Sequence, residues 1–255
     1  MITAGIDIGS RNTKIIFWDT DLAKMVCKKV VTTGTEPQRT AQKLLADSLV
    51  SLNIHDKNIP FNSTGYGRKL INSDHISEIS CHARGIRQLI PTTMTIIDIG
   101  GQDSKVISLD REHHIIEFAM NDKCAAGTGS FLERISELFN VPLSSLGELA
   151  LQSQENVDIS STCVVFAESE IISLINRNTS QNDILMGIHR SIAKRVKNLL
   201  SNIQWQPPVT LTGGVALNLG VQKALEDELQ TKISVPDEPI FSGALGAAFF
   251  AANLE

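Results

Sequence analysis

Two stretches of the chain repeat one pattern of apolar and polar positions. In the first, an apolar run over 2–7 ends in Gly5-Ile6-Asp7-Ile8-Gly9-Ser10, and apolar residues resume over 13–18. In the second, Thr95-Ile96-Ile97-Asp98-Ile99-Gly100-Gly101-Gln102-Asp103 leads into Lys105-Val106-Ile107-Ser108-Leu109. Each predicts a strand, an acidic glycine turn and a returning strand. A third strand over 25–32 extends the first hairpin into an antiparallel meander. Helical spacing then takes over, with Ala41, Leu44, Leu45, Leu49 and Leu52 on one face over 38–52. Ser63-Thr64-Gly65-Tyr66-Gly67-Arg68 reads as a turn that borders a cleft. Ile79, Cys81, Ala83 and Ile86 mark a helix packed inward, and Phe131, Leu132, Ile135, Leu138 and Phe139 mark another.

Farther along, the pattern predicts a short strand over 156–159 and a helix over 164–175 with Ser160-Ser161-Thr162-Cys163 at its start, so that Cys163 falls in the first turn. A second helix over 184–200 takes Asn182 or Asp183 as its cap. Leu185, Ile188, Ile192, Val196 and Leu199 face a core there, while Arg190, Lys194, Arg195 and Lys197 form a solvated face. Val209-Thr210-Leu211 is a strand ending in Thr212-Gly213-Gly214, and Ser242-Gly243-Ala244-Leu245-Gly246 opens a closing helix whose small residues permit tight packing.

Asp7 and Asp98 lie 91 residues apart. That spacing suggests a duplicated unit of about a hundred residues, too small to be comfortable alone. Taken singly, each hairpin is an ordinary turn. Two of them facing each other bracket a nucleotide's phosphates, with Asp7 and Asp98 on a magnesium ion and Gln102 placed to orient an attacking water. The turn at Gly9 and Ser10 directs N–H groups toward a phosphate. The glycines Gly213 and Gly214 let a flat ring or ribose approach the backbone.

Charge narrows the field. A formal net charge of −5, without clustered Lys and Arg, argues against a nucleic-acid partner. The longest apolar run, near 244–252, is too short to span a bilayer and contains Gly246, and Met1-Ile2-Thr3 runs toward Asp7 without the basic start of a signal peptide. The expectation is a cytoplasmic protein with no membrane association.

The loop Asn121-Asp122-Lys123-Cys124-Ala125-Ala126-Gly127-Thr128-Gly129 places a cysteine among small residues before a helix. Such an end suits a thiolate, an anionic iron–sulfur cluster held by thiolates, or a phosphate. The four cysteines, Cys27, Cys81, Cys124 and Cys163, contain no CxxC pair, which excludes a zinc ribbon and a ferredoxin run. One chain cannot fill a four-ligand site with two well-placed cysteines, but two chains can. Cys81 reads as a small core hydrophobe and His82 as a structural histidine.

With both acidic hairpins, the Gly-Gly turn and the closing small-residue helix, the chain resembles the actin/Hsp70/sugar-kinase ATPase superfamily. Ile97-Asp98-Ile99-Gly100-Gly101-Gln102-Asp103, the loop 121–129 and Ser161-Thr162-Cys163-Val164-Val165-Phe166-Ala167-Glu168-Ser169-Glu170 resemble the activators of 2-hydroxyacyl-CoA dehydratases and the related ATPase subunits of benzoyl-CoA reductases. The resemblance covers nearly the whole chain. It implies an α/β, duplicated actin-like (ribonuclease H-like) fold with a nucleotide cleft between two subdomains, 1–92 and 93–241, and the helix of 242–255 packed back on the first.

The resemblance further implies a homodimer holding one [4Fe-4S] cluster, with Cys124 and Cys163 of each chain as ligands. It implies ATP/ADP and Mg²⁺ in each subunit, Asp7 and Asp98 serving the metal, Gln102 the water, and Gly213 and Gly214 the adenosine. Gly9, Ser10, Thr13, Lys14, Gly100, Gly101, Asp103, Gly127, Thr128 and Gly129 complete the implied cofactor contacts. The implied activity is transfer of one low-potential electron, driven by ATP turnover, to a partner iron–sulfur enzyme. That partner is a 2-hydroxyacyl-CoA dehydratase, a benzoyl-CoA reductase or a double-cubane cluster protein, with ferredoxin or flavodoxin as donor. One departure stands out: Arg11 occupies a position where the family usually has a small hydroxyl residue.

Two rival readings compete with this one. A small-molecule kinase of the same superfold needs a base for the accepting hydroxyl, and Gln102 is better suited to positioning water. A non-redox ATPase regulator would use its cysteines structurally.

Overall fold

The computed structural model describes residues 1–54, 59–160 and 163–253. The chain divides into two compact units. The first comprises Met1–Thr92, His113–Ile115 and the chain from Ile240 onward, and the second comprises Thr93–Glu112 and Ile116–Pro239.

The first unit is built on strands β1 (Ile2–Ile8), β2 (Asn12–Asp19), β3 (Lys24–Thr32), β4 (Phe61–Thr64) and β5 (Asp74–His75), in the order β3-β2-β1-β4-β5. The meander β1–β3 is antiparallel, whereas β1 and β4 run parallel. Helix α1 (Pro37–Ser51) connects the meander to β4, and α2 (Glu78–Leu89) follows β5.

Alternation along β2 explains why both faces of this sheet are buried. Ile15 and Phe17 pack with Ala41 and Leu44 of α1, while Ile16 and Trp18 point the other way, toward Ala244, Leu245, Ala248 and Phe249. Those four belong to the closing helix, Ser242–Ala251. Its small residues allow near-contact of backbones. A Cβ on Gly5 would sit 1.9 Å from the Ala244 carbonyl, and one on Gly85 2.0 Å from that of Ser242.

The second unit repeats the plan with β6 (Thr95–Ile99), β7 (Ser104–Leu109), β8 (Ile115–Asn121), β9 (Val209–Thr212) and β10 (Ile233–Ser234), ordered β10-β9-β6-β7-β8. Its helices are α3 (Gly129–Phe139), α4 (Leu146–Ala150), α5 (Val164–Asn176), α6 (Gln181–Leu200) and α7 (Leu219–Leu229). The closing helix of the first unit, Ser242–Ala251, is α8. Ile97, Ile99 and Val106 of the sheet pack with Phe131, Ile135, Ile188 and Ile192 in one core. No helix among the described residues is long and apolar enough to cross a membrane.

Two expectations of the pattern fail here. Residues 156–159 form no strand: Val157 and Ile159 do point inward, but they lie against α6, where a Cβ on Gly187 would come 2.8 Å from the Val157 carbonyl. The alternation is that of an extended segment covered by a helix. Asp183 and Asn182 do not cap α6, whose N-cap is Ser180. Asp183 sits in the first turn and accepts from Ser153 Oγ (2.8 Å), Gln154 N (2.7 Å) and Glu155 N (2.9 Å). The Glu155 N–H first, and then the Ser153 hydroxyl, hold its carboxyl below the usual carboxylate range.

Candidate functional site

Asp7 is the penultimate residue of β1 and faces Lys14 of β2 in the antiparallel register. Lys14 Nζ donates to Asp7 Oδ2 at 2.9 Å, and the chain turns between them with Gly9 N donating to Asn12 O at 3.1 Å. A Cβ at Gly9 would lie 2.8 Å from that same carbonyl, so the turn requires glycine. Ser10 and Arg11 are exposed at its tip. Thr13 is buried, with its hydroxyl 3.0 Å from that of Thr33, which donates to Gly9 O at 2.8 Å. In this structure the Thr13 side chain therefore braces the hairpin from behind.

The second hairpin copies the first. Asp98 pairs with Lys105 across β6 and β7, and Gly100 N donates to Asp103 O at 2.9 Å. Lys105 Nζ lies 3.4 Å from Asp98 Oδ2 and 2.5 Å from Asp103 Oδ2, with the lysine almost fully buried. Gly101 is half-buried and Gln102 is exposed at the tip.

A parallel strand ending in Thr-Gly completes each copy. Thr64 of β4 is in register with Asp7, and Thr212 of β9 with Asp98. The glycine that follows has positive φ in both, +91° at Gly65 and +86° at Gly213. A Cβ there would meet Asp7 Oδ1 at 2.5 Å in one case and Asp98 Oδ1 at 2.7 Å in the other. Each carboxylate is thus held between a lysine and a bare glycine backbone. Gly214 is exposed, and a Cβ on it would meet nothing within 4 Å. Pattern reading overlooked Lys105 and the role of Gly65, although Lys14 and Lys105 are 91 residues apart, the same spacing as the two aspartates.

The cysteine loop departs from expectation. Cys124 does not abut α3: a 3-10 turn, Ala125–Gly127, intervenes, and Thr128 is the N-cap. Asn121 brackets the cysteine, with Cys124 N donating to Asn121 Oδ1 at 3.2 Å and Asn121 Nδ2 donating to Cys124 O at 3.0 Å. The first donors of α3 are already committed. Gly129 N reaches Gly100 O at 2.9 Å, and Ser130 N reaches Gly101 O at 2.8 Å. Thr128 donates through N and Oγ1 to Ala125 O, and Gly127 O accepts from Ser104 Oγ at 2.7 Å. The loop thereby fastens α3 to the turn after Asp98.

Arg195 is not part of a solvated face. It is half-buried, with Cδ 3.5 Å from where a Gly127 Cβ would be. Burial lowers the guanidinium from its usual range, and the proximity of Cys124 works in the opposite sense. Cys163 is exposed and is the N-cap of α5, one residue before the first turn. Ser161 and Thr162 lie outside the described residues. Cys81, by contrast, is fully buried, and burial pushes its thiol up to about 12, which leaves it protonated and inert.

Two sheets of one plan, each with a carboxylate, a lysine and a Thr-Gly turn at corresponding positions, define an ATPase of the actin-like and sugar-kinase fold. Residues 4–251 match the BadF/BadG/BcrA/BcrD ATPase family, and the chain belongs to it. The 2-hydroxyisocaproyl-CoA dehydratase activator of Clostridioides difficile is 45% identical over 256 residues, covering 98% of this chain and 95% of that one. The solved structure of a Clostridium difficile activator of the 2-hydroxyisocaproyl-CoA dehydratase with bound ADPNP superposes with a TM-score of 0.91 at 44% identity, over 99% of this chain and 95% of that chain. Component A of the (R)-2-hydroxyglutaryl-CoA dehydratase of Acidaminococcus fermentans gives a TM-score of 0.92 at 41% identity, over 99% and 98% of the two chains.

Proposed function

We propose that the chain is an ATP-dependent activator of a 2-hydroxyacyl-CoA dehydratase, working as a homodimer that holds one [4Fe-4S] cluster through Cys124 and Cys163 of each copy. The observation that carries this reading is the pairing of full-length similarity to named activators with two cysteines set at the starts of helical segments in one unit. Thiolates are the donors that an iron–sulfur cluster takes. Cys124 is half-buried with its backbone fixed by Asn121, Cys163 is exposed, and two chains together supply four sulfurs. The helix that starts after Cys163 exposes Val165, Phe166, Ile172 and Ile175, an apolar surface suited to a second copy of the chain.

The nucleotide is Mg²⁺-ATP. Asp7 and Asp98 are buried carboxylates, each with a lysine beside it, and a carboxylate is a ligand that suits a hard divalent ion. Lys14 and Lys105 orient those carboxylates, Ser10 and Gly101 at the two tips offer backbone to phosphate while the Gly9 and Gly100 N–H groups close the turns onto Asn12 O and Asp103 O, and Gly214 leaves an open side for the adenosine. Gln102, exposed at the second tip, orients the attacking water. When bound, the cluster supplies one low-potential electron to the partner enzyme. Raising an electron by ~100 mV costs about 2.3 kcal/mol, which ATP turnover offsets.

Iron analysis of anaerobically purified protein tests the reading. A brown dimer with about four irons is the expected result. A colourless protein that still hydrolyses ATP would assign the cysteines a structural role and leave a non-redox regulator.

A further inference from the structure

His82 and Ser242 stand behind Asp7. His82 lies on α2, is buried, and its Nδ1 is 3.0 Å from Ser242 Oγ, the first residue of α8. The next residue, Gly243, has no side chain where one would be expected to separate the two elements. A Cβ built there would be 3.3 Å from His82 Nε2 and 3.5 Å from Asp7 Oδ2. The imidazole and the carboxylate therefore border the same small gap. Asp7 Oδ2 is also the atom that Lys14 holds from the opposite hairpin strand. The close approach of α2 and α8 creates this arrangement, since a Cβ on Gly246 would strike the Cys81 carbonyl at 1.9 Å.

We infer that His82 is a positioning residue for Asp7. Its Nδ1 accepts from the Ser242 hydroxyl, which fixes the ring, and its Nε2–H supports the Asp7 carboxylate across the Gly243 gap, so that Asp7 presents its remaining lone pairs toward the magnesium-bound nucleotide. In the second unit Lys105 reaches both Asp98 and Asp103. This inference rests on the reading of Asp7 as a magnesium-site residue.

Three substitutions separate positioning from packing. Gln keeps a nitrogen as far from the backbone as His Nε2, whereas Asn keeps one only as far as Nδ1. His82→Asn should lower ATP hydrolysis at saturating nucleotide about tenfold, the usual effect of losing a hydrogen bond to a charged group, and should raise the Mg²⁺ concentration needed for half-maximal ADPNP binding. His82→Gln should restore most of both. Gly243→Ala, which keeps both side chains and favours the helix, should reproduce the Asn phenotype by wedging a methyl into the gap. Unchanged Mg²⁺ dependence in His82→Asn and Gly243→Ala, or equal loss in Asn and Gln, would overturn the positioning role. Asp7→Asn is the control for the underlying reading: wild-type Mg²⁺ dependence of ADPNP binding in that variant would overturn the assignment of Asp7 itself, whatever His82 does.

Discussion

Lys14 Nζ stands 2.9 Å from Asp7 Oδ2 across the first hairpin, and both side chains are largely withdrawn from water. The corresponding lysine of the second unit, Lys105, is buried more deeply and serves two carboxylates, Asp98 and Asp103. The difference predicts unequal costs. Lys105→Met removes the buried cation that both Asp98 and Asp103 contact and should lower unfolding free energy by about 3–5 kcal/mol. Lys14→Met should cost about 1.5–3 kcal/mol, because its site is more open to solvent. Urea unfolding of the two variants checks the order, and equal losses would contradict it.

Gly213 and Gly214 are adjacent but should respond differently to alanine. At Gly213 the φ of +86° and a Cβ 2.4 Å from the Ile99 carbonyl make any side chain strained, so Gly213→Ala should destabilise by at least about 1–2 kcal/mol and displace Asp98. At Gly214 nothing lies within 4 Å of the new Cβ. Gly214→Ala should leave the unfolding midpoint within about 0.5 kcal/mol of wild type and weaken ADPNP binding several-fold, as measured by calorimetry. Unchanged affinity would remove Gly214 from the nucleotide site.

His189 sets a stability trend with pH. It is buried on α6, with Nδ1 2.6 Å from the Leu185 carbonyl, and burial pushes its pKa below the ordinary value. The folded form therefore stays neutral while the unfolded chain takes up a proton below about pH 6.5. Its contribution to stability is fully present above that pH and is lost as pH falls toward the folded pKa, by up to about 1.4 kcal/mol per pH unit. His189→Leu should flatten the dependence of unfolding free energy between pH 6.5 and 5.5. An unchanged slope would contradict a buried neutral histidine.

The sheets were legible because their signal is local. Alternation about Asp7 and Asp98, with glycine immediately after, defines a hairpin whatever surrounds it. What the pattern concealed depended on packing between distant segments. Val157 and Ile159 alternate like a strand, yet the neighbour that buries them is α6, and no local rule separates those cases. Arg195 belongs to a run of basic residues that looked solvated, but its stem lies against the loop glycine Gly127. His82 is 160 residues from Ser242, and only the meeting of α2 and α8 joins them. Lys105 is the exception, since the repeat already pointed to it.

The cysteine loop and the Asp98 hairpin are physically joined in the second unit. Gly129 N and Ser130 N bind the carbonyls of Gly100 and Gly101, in the turn between Asp98 and Asp103. A change at that turn therefore reaches the base of the loop that carries Cys124. Ser130→Ala removes the side-chain bond to Gly101 O, now 2.5 Å long, and keeps the backbone ones. It should lower ATP-stimulated electron transfer more than ATP hydrolysis. Equal losses in both assays would contradict this coupling.

The central claim is ATP-driven electron delivery through Cys124 and Cys163, and a direct measurement of it uses reduced protein mixed anaerobically with a 2-hydroxyacyl-CoA dehydratase. Dehydratase turnover should appear only with Mg²⁺-ATP. It should be lost in Cys163→Ala, although that variant still binds ADPNP. Full turnover with Cys163→Ala, or without ATP, would contradict the account.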